Sequence, residues 1–589
     1  MKKETKNIIY NIPLIFILFF IPLIVFLKRI ELSGVLETNW TSATNMDFFS
    51  YYKMVWLIIA ASILVIMLLK YLSDGNKIKK TYYYIPLATY ALFALLSSFL
   101  SEYPFAAVLG FPDRYEGVFV LVIYVFLTAA AINLVNNKKT LKIIIVALLI
   151  SATILGIHGI FQYFGMDFFQ TDFGRHLILP ASEHSIVDNL NFEFGERIIY
   201  STMFNPNYVG SYTAMLFSLT MALFILIKEK KKLIMLGAVN WIMFAYWLGS
   251  VSRAGMLGGI AAILVISILL HKKIKENWKP LLVLGVGFVI IFTGLNSYGN
   301  GNIADDLLSF SDQTQLALEG EELDEDLKNI DTKGKDLVIS TTANTINIKL
   351  EQSSLRFYDG EGKMINYSFV KQDGEIELMQ EEYENYFFEF DNENNLLHWQ
   401  YGRINAQFKI TENGFYIVGH NSQAYKIEEI ESWGFEGKER LGSSRGYIWS
   451  RTIPLLKDNF FLGDGVDVYA IVFPQNDFVG KLKAFGVANK IVDKPHNMYL
   501  QMGVNTGIVS MLAIMSMLAI YIYQSIKIYW KRNYDDFYTK VGVGILAAVI
   551  GYAVAGLFND SVVSVAPVFW ILFGIGISIN MKLKNDSLQ

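Results

Sequence analysis

Five short polar clusters hold the side chains of this chain best equipped for chemistry. They are Arg114-Tyr115-Glu116-Gly117, Asn205-Pro206-Asn207, Ser252-Arg253-Ala254-Gly255, Ser443-Ser444-Arg445-Gly446 and Pro495-His496-Asn497. A guanidinium offers a planar fork of donors and stays protonated at physiological pH. Two or three of them converging suit a pyrophosphate, which takes several charge-assisted hydrogen bonds. An imidazole with an ordinary pKa of about 6.5 accepts a proton from an attacking hydroxyl at neutral pH. Arg253, Arg445 and His496 are therefore the catalytic candidates, with Arg114, Glu116, Asn205, Asn207, Ser252, Asn497 and Tyr499 as candidate substrate-binding residues. Each has a plainer reading beside it. Arginines near hydrocarbon also snorkel or anchor at the interface, and a lone histidine is commonly a satisfied structural residue. Arg114 can pair locally with Glu116, and Asn205 reads as a cap at a helix start. Arg197 and Arg451 are weaker candidates, read as surface or capping charges.

Other signatures are negative. Asp324-Glu325-Asp326 sits in an acidic stretch far from these clusters, and neither His-Glu-x-x-His nor a P-loop is present. Gly442 to Gly446 fits Gly-x-Ser-x-Gly, but nothing around it reads as the parallel α/β sheet a nucleophile elbow requires. The chain has no cysteine, which excludes disulfides, thiolate catalysis and Cys-ligated metals.

The elements that position the clusters are membrane helices. Of 589 residues, 53% are hydrophobic and only 18% charged, against about 25% charged in soluble proteins. Mean hydropathy is +0.35. A net charge of −4 offers no basic field for nucleic acid. About twelve windows are long enough to cross ~30 Å of hydrocarbon: 8–27, 54–70, 81–100, 117–135, 142–162, 207–228, 233–250, 255–271, 280–297, 499–524, 541–558 and 565–581. The first has no small-residue cleavage site after Leu27 and is read as a span. Alternate connections are rich in lysine, for example Lys77, Lys79 and Lys80, Lys138, Lys139 and Lys142, Lys230 to Lys232, and Lys527, Lys531 and Arg532. The positive-inside rule places these and both termini in the cytoplasm. The polar clusters then fall at outer helix ends. In the middle of the spans almost no ionisable residue occurs, and His158, close to the outer end of its helix, is the one exception.

Between the ninth and tenth windows lies a long outer insert. The expected organisation is transmembrane helices 1–9 over 1–297, an acidic linker over 298–335, a β-rich domain over 336–430, a helical and loop segment carrying site residues over 431–498, and helices 10–12 over 499–589. The linker contains Glu319, Glu321, Glu322, Asp324, Glu325 and Asp326. Period-two patterns such as Ile346, Ile348 and Leu350, and Ile404, Ala406, Phe408 and Ile410, predict a sandwich or curled sheet. Asp359-Gly360 and Asn413-Gly414 mark turns. Tyr386, Phe387, Phe388 and Trp399 are expected in its core rather than as a sugar platform.

Three segments carry a resemblance: Phe204-Asn205-Pro206-Asn207, Ser252-Arg253-Ala254-Gly255, and Pro495-His496-Asn497-Met498-Tyr499-Leu500-Gln501. With Arg445-Gly446-Tyr447-Ile448-Trp449, Gly463-Asp464-Gly465 and Phe473-Pro474-Gln475, the chain resembles the bacterial O-antigen ligase and O-antigen polymerase superfamily. The resemblance implies a membrane-embedded C-type glycosyltransferase fold. It also implies transfer of a glycan from a polyprenyl-pyrophosphate carrier to an acceptor hydroxyl, with no metal or nucleotide cofactor. It implies that Arg253 and Arg445 bind the donor pyrophosphate and that His496 activates or orients the acceptor hydroxyl. The β-rich insert departs from the family's shorter, largely helical outer loop.

The expected reaction is an inverting displacement at the outer face of the bacterial cytoplasmic membrane. The acceptor is a glycan, a lipid or a protein. Two rivals make different demands. A lipid-linked glycan flippase or polysaccharide exporter needs charged residues facing a central cavity, and the spans lack them. A non-catalytic membrane glycan sensor tolerates loss of His496.

Overall fold

The apolar windows fold as helices. The computed structural model describes residues 3–586 apart from 39, 41, 193–194, 196, 309–325, 334, 352–353, 370–373 and 531. Among the described residues, eight helices are long and apolar enough to cross a membrane: Tyr51–Ser73, Lys138–Tyr163, Pro206–Leu226, Lys230–Gly249, Trp278–Tyr298, Ile508–Trp530, Phe537–Ala555 and Ala566–Asp586. Glu4–Tyr10 and Ile12–Leu23 make a ninth if taken together, bent by 50°. The bend falls where Pro13 removes a backbone donor and starts a new helix. Three shorter apolar helices, Tyr84–Phe99, Val118–Leu134 and Arg253–Leu269, occupy other windows. The architecture is that of a polytopic helical membrane protein with a β-rich region.

One window is corrected. The stretch 499–524 is not a single span: Met498–Thr506 is a separate short helix and Ile508–Trp530 follows it. Gly507 makes the break at φ +91°, a backbone conformation that favours glycine.

The lysine-rich connections share one end of the bundle. Lys228 pairs with Asp535 at 3.1 Å and Lys139 with Glu4 at 3.5 Å, while Lys6 and Lys70 both meet Asp74.

At the centre, Pro206–Leu226, Arg253–Leu269 and Phe537–Ala555 pack almost backbone to backbone. A Cβ on Gly255 would lie 2.5 Å from the Gly210 Cα, and one on Gly258 would lie 2.3 Å from the Gly551 carbonyl oxygen. Small residues permit such approach between membrane helices. It also fixes the start of Arg253–Leu269, and so Ser252 and Arg253, beside Asn207. Gly255→Val is expected to destabilise the protein by about 1–3 kcal/mol through overpacking. The measurement is thermal unfolding in detergent, and an unchanged midpoint would contradict the close packing.

The β-rich region is two antiparallel sheets around one core. Five strands follow in chain order: Leu327–Lys333, Asp336–Thr341, Thr345–Glu351, Ser354–Asp359 and Met364–Ile365. The other sheet has seven, running from Tyr367–Phe369 at one edge to Ala424–Tyr425 at the other. Ile346, Ile348 and Phe357 of the first sheet share a core with Phe388, Trp399 and Phe408 of the second. The Phe357 and Phe388 rings meet at 5.1 Å. Two expectations change here. The first strand begins at Leu327, inside the stretch read as linker, and Phe387 faces outward at 40% exposure instead of joining the core. The register explains Phe387: its neighbours Tyr386 and Phe388 take the inward positions. The run Glu319 to Glu325 lies outside the described residues, and Asp326 pairs with Arg440. The Phe478–Phe485 helix inserts Phe478 and Leu482 into the sandwich core. The β region is thereby attached to the segment that leads to His496.

Candidate functional site

A tetrapeptide just beyond the Phe537–Ala555 helix, Phe558-Asn559-Asp560-Ser561, gathers the five polar clusters. Each of its residues serves a different one or two.

Phe558 receives the Arg445 cluster. Its carbonyl accepts hydrogen bonds from Arg445 Nε (3.2 Å) and Nη2 (2.8 Å). Arg445 and Trp449 lie four apart on one helix and so share a face. Trp449 stacks on Phe558 at 6.1 Å, and its indole donates to the Pro495 carbonyl at 2.8 Å. A single helix face thus holds the arginine and the residue before His496.

Asp560 receives His496. Its Oδ2 lies 3.0 Å from the imidazole Nδ1. The carboxylate can only accept, so Nδ1 carries a proton, and in the neutral imidazole the lone pair is then on Nε2. Asp560 is buried, and its Oδ1 has no partner among the described residues. Burial pushes the carboxyl up, but His496, Lys494 and Arg114 together bring it below the usual range. The Met498 N–H donates to the Gly556 carbonyl at 2.8 Å, clamping the two segments together.

Asn559 receives the Asn205 and Ser252 clusters. It donates to the Asn207 carbonyl at 2.9 Å and to Ser211 Oγ at 2.8 Å. Ser252 Oγ in turn donates to Asn207 Oδ1 at 3.3 Å and caps its own helix by accepting from Gly255 N. Next to Ser252, Arg253 pairs with Asp306 at 3.1 Å. Burial lowers the Arg445 guanidinium from its ordinary value, Asp560 opposes this, and the charge of Arg253 adds to the lowering. Arg253 thus adds to the positive field around Arg445.

Ser561 receives the Arg114 cluster by donating to Glu116 Oε1 at 3.0 Å. Arg114 and Glu116 do not pair with each other, contrary to the local pairing read from sequence. Arg114, fully buried, meets Asp467 at 2.7 Å and Asp493 at 3.4 Å, and donates to the Asp493 carbonyl at 2.9 Å. Burial pulls this arginine down, yet the two aspartates outweigh it and hold it above its ordinary value. Asp493 is brought to about 2, its burial outweighed by Lys494, Arg114 and His496. Arg114 therefore braces the chain three residues before His496. The folded form satisfies buried charge in this way because unpaired buried charge is costly.

Glu116 also accepts from Tyr124 Oη at 2.5 Å. Burial, with Asp467 adding to it, pushes its carboxyl from 4.5 up to about 8. Between those values the folded protein holds a proton that the unfolded chain releases. Stability therefore falls as pH rises through that window and levels off above it. The slope is at most about 1.4 kcal/mol per pH unit. Glu116→Gln, neutral throughout, is expected to flatten the fall in thermal midpoint between about pH 5 and 8. Parallel curves for both proteins would contradict this.

The remaining candidates build the frame. Asn205 accepts from Asn207 N (2.8 Å), and Asn497 accepts from Tyr499 N (3.0 Å) and Leu500 N (3.1 Å), so both cap helices. Tyr499 Oη donates to the Ala553 carbonyl at 2.8 Å. Gln475 clamps Val492 by bonds of 2.7 and 3.1 Å. Arg451 pairs with Asp477 at 2.7 Å, and Arg197 lies over Tyr298. His158 lies 3.8 Å from Asp167, in a different contact set. Ser444 of the Gly-x-Ser-x-Gly string donates to the Ala484 carbonyl, on no parallel sheet.

Part of the backbone strain follows the same map. Tyr115, Phe204, Val251, Ser443, Ser444 and His496 all have φ between +49° and +69°. Such values are uncommon outside glycine, and every one of the five clusters contains or adjoins one. Strain of this kind persists where surrounding structure imposes it and gathers at functional sites.

Asp467, Asp493, Lys494 and Asp560 were not among the candidates. Asp560 had a legible signal: Asn559-Asp560-Ser561 is a polar run between two apolar windows, on the side opposite the lysine-rich connections.

Residues 399–515 match the sequence model of a family described as O-antigen ligase. The matched stretch includes Arg445, His496, Asn497 and Tyr499 and begins inside the β region. No curated protein and no solved structure matches the chain.

Proposed function

We propose that this chain, whose residues 399–515 match the sequence model of a family described as O-antigen ligase, is a glycosyltransferase. It moves a glycan from a polyprenyl-pyrophosphate carrier to an acceptor hydroxyl at the outer face of the cytoplasmic membrane. The observation that carries the reading is the gathering of all five polar clusters on Phe558 to Ser561.

In this reading the twelve apolar helices span the membrane with both termini inside, and the carrier tail lies among lipid. Arg253 and Arg445 hold the pyrophosphate. His496, its Nδ1 proton held by Asp560, takes the acceptor hydroxyl proton on Nε2. The acceptor oxygen attacks the anomeric carbon from the face opposite the pyrophosphate. The glycosidic C–O bond breaks, its electron pair leaves with the carrier pyrophosphate, and configuration inverts. The arginines stabilise the charge that grows on that leaving group. Arg114, through Asp467 and Asp493, positions the His496 segment. No metal or nucleotide enters this scheme.

The test is purified protein supplied with carrier-linked glycan and acceptor. Formation of a new glycosidic bond with inverted configuration supports the proposal. Absence of transfer, or a retained linkage, opposes it.

A further inference from the structure

At the lysine-rich end of the bundle, far from the five clusters, an open cavity lies between helix ends. Its polar lining includes Lys79, Lys582, Asn136, Asn585 and Tyr538, with Asp586 as the one carboxylate among the described residues. Lys79 comes from the connection after Tyr51–Ser73, Tyr538 from the start of Phe537–Ala555, and Lys582 and Asn585 from the last turns of Ala566–Asp586.

Two ammonium groups are brought together here without a direct ion pair among the described residues. Lys79 Nζ donates only to neutral oxygens, the Ile132 carbonyl (2.6 Å) and Ser578 Oγ (2.8 Å). Lys582 lies over the Tyr538 ring at 5.0 Å. Neither forms an ion pair among the described residues. Burial, with the charge of Lys582 added, lowers Lys79 to about 8. A third cation flanks the site, since Lys138 lies over the Phe537 ring at 5.5 Å. The walls are apolar: Val135, Leu141 and Ile579 line the same cavity. Like charges beside amide and phenol donors, above an apolar wall and at the ends of membrane helices, form the environment of a lipid phosphate. A small aqueous anion has no use for the apolar part. Basic pockets between helix ends recruit anionic lipids by this chemistry.

We propose that this cavity binds the phosphate of an anionic phospholipid, with Lys79 and Lys582 as its charged ligands and the apolar wall against its glycerol and upper acyl chain. The site is independent of the transferase reading.

The test uses the full-length protein in neutral detergent, titrated with phosphatidylglycerol, phosphatidylcholine or inorganic phosphate while thermal unfolding is followed. Phosphatidylglycerol is expected to raise the midpoint saturably, with phosphatidylcholine and inorganic phosphate having little effect at the same concentration. Lys582→Gln, at an exposed position, should weaken the phosphatidylglycerol response about fivefold, the factor corresponding to one juxtamembrane lysine. Lys79→Arg, which keeps the charge at the half-buried position, should retain the response. The proposal is overturned by equal responses to the two lipids, or by a Lys582→Gln titration that superimposes on wild type. An equal response to inorganic phosphate would assign a soluble anion instead and overturn the lipid assignment.

Discussion

His496→Ala is expected to lower the rate of glycan transfer by about 10²–10⁴-fold, the usual contribution of a positioned general base. The loss should appear in kcat more than in KM, because the imidazole acts on the acceptor proton as the bond forms and adds little to donor binding. Folding should survive. His496 is the cluster's partly exposed member, with a side chain 25% accessible, whereas Asp560 behind it is 2% accessible. Asp560→Asn makes the complementary test. An amide cannot hold the Nδ1 proton as a carboxylate does, so transfer should fall although His496 is intact. If both variants transfer as wild type does, the imidazole has no part in the chemistry.

The second large effect concerns the arginines. Arg253→Ala and Arg445→Ala are each expected to reduce kcat/KM by about 10²–10³-fold, the range for removing one donor to developing charge. Arg445→Lys should recover little, because the fork that serves the Phe558 carbonyl through both Nε and Nη2 cannot be reproduced by an ammonium. If the two act on one pyrophosphate, the double variant should lose less than the product of the single losses. Strictly multiplicative losses would place them on separate groups.

Much of this arrangement was legible in the residues. The spans stand out because lipid requires every backbone group to be satisfied within a helix, so charge disappears in blocks. The alternating runs around Ile346 and Ile404 gave the strands, because one face of each is buried. Two errors come from the same limit: apolar content does not show where a helix stops. The run from Tyr499 onward reads as one span, and only the positive φ at Gly507 divides it. Likewise Phe387 looks like a core residue by type, and only its strand register turns it outward.

The site was half visible. Arg253, Arg445 and His496 stand out by chemical type, but their meeting depends on a segment about 60 to 300 residues away in sequence, and no local pattern reports such contacts. The Arg114–Glu116 pair shows this most clearly. Neighbours in sequence suggested a local ion pair, whereas the fold sends Arg114 to Asp467 and Asp493 and Glu116 to Tyr124 and Ser561. A single aspartate between two spans, Asp560 looks like an ordinary loop residue until His496 is placed 3.0 Å away.

Direct binding of polyprenyl pyrophosphate, the leaving group itself, to the purified protein tests the central claim with no acceptor required. Wild type is expected to bind it saturably, Arg253→Ala and Arg445→Ala each to weaken that binding at least about tenfold, and His496→Ala to leave it nearly unchanged. Equal affinity in the wild type and both arginine variants would contradict a shared pyrophosphate site.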